Sequence, residues 1–86
     1  MTEDHCLDRV RAIVTEIAGP AGTPSNVTPD TPLGADGFWL DSIAMLDVIL
    51  ACERDFNVVF DWESELSPDI LTTIRSLATA VRSKAE

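Results

Sequence analysis

The 86-residue sequence predicts an all-α fold: a small four-helix bundle with three longer helices, one short third helix and a long loop between helices 1 and 2. Three observations carry this reading. Apolar residues recur at the helical period in three separate stretches. All four glycines and four of the five prolines fall in residues 19–40, between the first two stretches. The one β-prone run, Val58-Val59-Phe60, has no second run to pair with, so it reads as a connection packed on the bundle.

The first helix is expected over 3–18. Leu7, Val10, Ile13, Val14 and Ile17 form one stripe, with Cys6 beside it as a small packed side chain. Gly19-Pro20 ends it, because proline cannot continue the hydrogen-bond ladder. The loop over 19–40 is long for so small a chain, and Val27, Leu33, Phe38, Trp39 and Leu40 are the side chains expected to pin it. The second helix spans 42–56. Met45, Val48, Ile49, Cys52 and Phe56 share its core arc, whereas Ile43, Leu46 and Leu50 lie on another arc beside Asp47 and Arg54. A helix in a chain of this size scarcely buries two faces, so the second arc is left for solvent or a partner. Ser67-Pro68-Asp69 reads as the start of the short helix over about 68–72. Thr72 or Thr73 then caps a last helix to about Lys84, with Ile74, Leu77, Ala78 and Val81 inward.

Composition narrows the function. At 45% hydrophobic and 24% charged the chain folds as one domain over 1–86 rather than staying disordered. A net charge of −9 argues against binding nucleic acid or an anionic membrane surface. No apolar run reaches the ~20 residues of a membrane span, and residues 1–20 lack a secretory pattern, which implies a cytoplasmic protein. Two cysteines and one histidine, His5, support neither a disulfide scaffold, nor a metal site, nor a hydrolytic triad. Residues 41–69 carry −7 of the net charge, so the negative field belongs to one central stretch.

Leu40-Asp41-Ser42-Ile43 opens the second helix at the head of that stretch. A serine there has a plain structural role, capping free backbone N–H groups, with a nearby acid suiting the helix dipole. Its surroundings add a functional reading. Ser42 follows a long pinned loop and precedes a helix with a surplus apolar arc and recurring acids at Asp47, Glu53 and Asp55. A phosphodiester on Ser42 would sit at a helix N-terminus, where backbone donors favour an anion. The acidic strip beside it would select partners by opposite charge. Asp47 and Glu53, flanking the surplus arc, read as partner-recognition residues, whereas Glu63 and Glu65 in the run 61–69 read as solvated surface.

Nearly the whole chain resembles the acyl carrier protein family. Leu40-Asp41-Ser42-Ile43 is similar to that family's Asp-Ser-Leu/Ile attachment motif, and Asp47 and Glu53 stand at its usual acidic offsets. Phe56 resembles the aromatic that closes its second helix, Thr28-Pro29-Asp30-Thr31-Pro32-Leu33 its preceding loop, and Leu71-Thr72-Thr73-Ile74 the entry to its last helix. The resemblance implies that Ser42 is the attachment point of a covalent 4'-phosphopantetheine arm, added from coenzyme A by a magnesium-dependent phosphopantetheinyl transferase. It implies a monomeric carrier with no catalytic residue, neither Cys6 nor Cys52 being the acyl-bearing thiol. Asp41, Ile43, Leu46, Asp47, Leu50 and Glu53 would then meet partner enzymes: acyltransferases, ketosynthases, or acyl and aminoacyl ligases.

The chain departs from the family where a glycine commonly precedes the serine by three residues; here Trp39 stands, after Phe38. Trp39 and Trp62 are read first as loop or core anchors and second as walls of an acyl pocket or docking contacts. A chain running from Met1 to just past its last helix suits a free-standing carrier. Five arginines to one lysine and the Phe38-Trp39 pair suit a polyketide or hybrid pathway better than primary fatty-acid synthesis. The alternatives are an aminoacyl or peptidyl carrier of a nonribosomal peptide pathway and, from another class, an unmodified helical adaptor.

Overall fold

A computed structural model describes residues 3–61 and 70–85. Within them the chain forms three helices, α1 (Glu3–Gly22), α2 (Ser42–Phe56) and α3 (Ile74–Ala85), and no strand. α1 packs most extensively on α3 and also on α2, while α2 and α3 touch least. None of these helices is long and apolar enough to cross a membrane.

Each helix buries the stripe its sequence lays out. Val10, Ile13 and Val14 of α1, Val48, Ile49, Cys52 and Phe56 of α2, and Ile74, Leu77, Ala78 and Val81 of α3 form one core. Cys6 joins it, and Leu7, Ile17 and Met45 pack half-buried at its margin. Gly19 breaks α1 as expected, with φ 75° and ψ 172°, but Pro20 then leads one further turn to Gly22. That extra turn is tied down by the Thr23 hydroxyl, which donates to the Gly19 carbonyl at 2.7 Å.

The loop between α1 and α2 is stitched to itself and to the entry of α3. Phe38 N–H donates to Pro32 O (3.0 Å), Trp39 N–H to Gly34 O (2.9 Å) and Leu40 N–H to Leu33 O (3.0 Å). Gly37 is required at the crossing, because a Cβ there would lie 1.9 Å from the Pro32 carbonyl oxygen. Leu33 and Phe38 are the buried pins, with Val27 and Leu40 half-buried beside them. Trp39 is not a pin. It is 70% exposed, so the anchoring expected of it falls to its neighbour Phe38.

Among the described residues three helices stand where four are expected. Residues 68–69 lie outside the described part, and Ile70-Leu71-Thr72 are turn and bend. The reason lies in where their backbone groups go. Leu33 N–H donates to Thr72 O at 2.9 Å, and Thr73 pairs with Pro32 in an isolated antiparallel bridge. The Ile70 carbonyl accepts from the Ser76 hydroxyl at 2.7 Å, so cross-chain and side-chain bonds rather than a helical ladder hold residues 70–73. Thr73, rather than Thr72, caps α3. Its Oγ1 accepts from Ser76 N–H (3.1 Å) while Ser76 Oγ accepts from Thr73 N–H (3.0 Å), a reciprocal box at the helix start.

Candidate functional site

α2 begins at Ser42, and the cap in front of it is Asp41. Asp41 has extended backbone, its Oδ1 accepts from Ala44 N–H at 2.7 Å, and its carbonyl accepts from Met45 N–H at 2.9 Å. The capping role that a serine at this place would explain is therefore filled by the preceding aspartate. Ser42 is left at the first helical position, exposed, and its hydroxyl makes no hydrogen bond among the described residues. A helix N-terminus is a place that favours an anion attached to its first residue.

The arc that sequence leaves outside the core is outside it. Ile43 is 73% exposed, and Leu46 and Leu50 also stand out from α2. Asp36, Asp41 and Asp47 are all exposed, and no lysine or arginine occurs from 36 to 47. Asp47 and Leu50 also line a groove of about 520 Å³ between α1 and α2, whose other walls include Arg9, Ile13 and Arg54.

Glu53 differs from Asp47. It is half-buried, and its Oε2 accepts from Phe60 N–H at 2.8 Å. Its carbonyl accepts from Val58 N–H and from the N–H of Asn57, whose left-handed backbone (φ 54°, ψ 49°) closes the helix. Glu53 thus fastens the turn that carries Val58 and Phe60 into the core. Sequence spacing could not reveal this, because the partner is a backbone amide seven residues on.

Trp39 takes φ 55°, in the left-handed region. That conformation costs a bulky L residue about 1–2 kcal/mol, and it is the reason a glycine suits this position. Trp62 lies outside the described residues. Both cysteines are buried, and the Cys52 thiol is pushed up to about 12. Burial is the main cause; Asp55 and Glu53 add to it and Arg9 opposes it. A thiol buried in this way is packed as a small apolar side chain rather than presented to solvent. No cluster of acids, histidines and cysteines suited to a metal ion occurs among the described residues. Comparison with family models, with curated proteins and with solved structures returned no significant match.

Proposed function

We propose that this chain is an acyl carrier protein, modified on Ser42 and serving a polyketide or related biosynthetic pathway as a monomeric, cytoplasmic carrier. One observation supports this above the others. Ser42 stands exposed at the first position of α2, its hydroxyl without a hydrogen bond among the described residues and its capping role taken by Asp41. In attachment, Ser42 Oγ forms the new bond to phosphorus and its proton passes to a base on the transferase. The pyrophosphate bond of coenzyme A breaks and adenosine 3′,5′-bisphosphate leaves. The residues present fit the group: Ser42 is exposed, and the Ser42 and Ile43 amides, which the Asp41 cap leaves open, favour the phosphodiester's charge. When attached, the phosphopantetheine arm supplies a terminal thiol that holds acyl groups as thioesters. The chain itself contributes presentation. α2 fixes the attachment point, Ile43, Leu46 and Leu50 offer apolar contact, and Asp41 and Asp47 attract basic partner surfaces.

The test is intact mass after incubation with coenzyme A, magnesium and a broad-specificity phosphopantetheinyl transferase. The wild-type chain is expected to gain one phosphopantetheine and Ser42→Ala none. No gain by the wild type would leave an unmodified helical adaptor as the reading.

A further inference from the structure

We infer that Trp39 is a pre-set aromatic anchor for the enzymes that act at Ser42, seated in an apolar pocket whose rim places an arginine or lysine over the indole. The inference rests on the carrier reading and deepens it.

The fold does not account for a tryptophan here. Trp39 is 70% exposed, so it adds little to the core, and its φ of 55° is one a glycine would adopt without strain. The backbone on both sides is over-determined. Phe38 is buried, Gly37 has no room for a Cβ against Pro32, and the N–H groups of Phe38, Trp39 and Leu40 all donate back into the loop. The loop therefore holds the tryptophan outward in a conformation that the residue itself opposes. Backbone strain kept by its surroundings is a mark of a functional position.

Proximity supplies the occupant. Three residues span at most about 11 Å, and a standard interface covers about 800 Å² on each partner, roughly 32 Å across. The Trp39 position therefore falls within the footprint of an enzyme closing on the Ser42 oxygen. Large aromatics held rigid in such a footprint supply much of the binding energy. The chemistry of the pocket follows from charge. Asp36 and Asp41 flank Trp39, Asp47 follows along α2, and no basic side chain interrupts them from 36 to 47. A partner drawn to that field brings arginine or lysine, and a cation over an indole face is a favourable contact. The same field opposes a second copy of this chain as the occupant, since the chain carries −9.

The experiment compares the wild type with Trp39→Gly, Trp39→Asn and Trp39→Phe as substrates of a phosphopantetheinyl transferase, following mass gain at varied carrier concentration. Glycine removes the indole and the strain, asparagine removes the indole at a residue tolerated in left-handed backbone, and phenylalanine keeps an aromatic face. Trp39→Gly is expected to unfold at a higher denaturant concentration than the wild type. Both Trp39→Gly and Trp39→Asn are expected to lose about tenfold or more in kcat/KM, chiefly through KM, with Trp39→Phe recovering most of it. Equal kcat/KM for all four, with the wild type modified, would overturn this inference and leave the carrier reading standing. A wild type that gains no mass would overturn both. A dimer in sedimentation that Trp39→Gly dissolves would assign the indole to a self-interface and likewise overturn it.

Discussion

Asp47 and Glu53 lie six residues apart on α2 and carry the same charge, yet their surroundings set them different tasks. Asp47 is exposed and makes no side-chain hydrogen bond among the described residues, whereas Glu53 holds Phe60 N–H at the C-terminal turn of the helix. Asp47→Ala should leave the urea midpoint nearly unchanged, within about 0.5 kcal/mol of stability. Glu53→Ala should cost about 1–2 kcal/mol, because a part-buried amide loses a charged acceptor. Asp47→Lys should slow modification of Ser42 without loss of helical circular dichroism. Equal stability losses for the two alanine variants would show that the Glu53–Phe60 bond does not hold the turn. Charge and spacing were legible in the sequence, which is why the two acids read alike there. The amide that separates them depends on how the chain turns after Asn57, and no periodicity encodes that. Trp39 is the same lesson in reverse. An aromatic in a loop reads as a pin, but Phe38 beside it takes the buried place, and the left-handed backbone at Trp39 leaves that residue exposed.

At the scale of the element, α2 holds both the fold and the candidate site, on two arcs of one helix. Ile49 is 2% exposed and Leu50 48%, although they are adjacent and of equal size. Ile49→Ala should therefore cost about 2–5 kcal/mol in chemical denaturation, whereas Leu50→Ala should cost clearly less and should weaken partner engagement instead. Similar losses at both positions would mean that Leu50 is covered by the protein's own core. The division between the arcs was legible because a 3.6-residue period assigns each side chain of a regular helix to a face. Helix ends were less so. Asp41 and Ser42 are both good capping residues, as are Thr72 and Thr73, and choosing between neighbours requires the geometry of the preceding turn. The stretch expected as the end of a short third helix shows the limit most clearly. Its residues have acceptable helical composition, but Thr72 and Thr73 are recruited by Leu33 and Pro32, some forty positions earlier.

At the scale of the molecule, the long loop ties the three described helices together, since it links the entry of α3 to the start of α2. Besides the Leu33–Thr72 bond, Arg75 N–H donates to Pro29 O at 2.8 Å, and the Arg75 guanidinium reaches the Asp30 carboxylate at 2.9 Å. The hydrogen bond from Arg75 holds the Asp30 carboxyl below the ordinary aspartate value of 3.8, with a smaller opposing effect of desolvation and a further lowering by the arginine's charge. The sign follows from linkage. A carboxyl whose value is lower folded than unfolded lends stability above its unfolded value, and that contribution disappears as pH falls through the folded one. Because the pair is exposed, its contribution is small and falls with added salt. Carboxyl chemical shifts followed against pH should give Asp30 an inflection below 3.8, moving up towards that value in Arg75→Ala. Thermal midpoints of wild type and Arg75→Ala should differ most above the unfolded aspartate value and converge as the solution is made more acid. If the two midpoints kept a constant separation through that range, the tie between loop and α3 would belong to the backbone bonds alone, and the charge pair would be surface decoration.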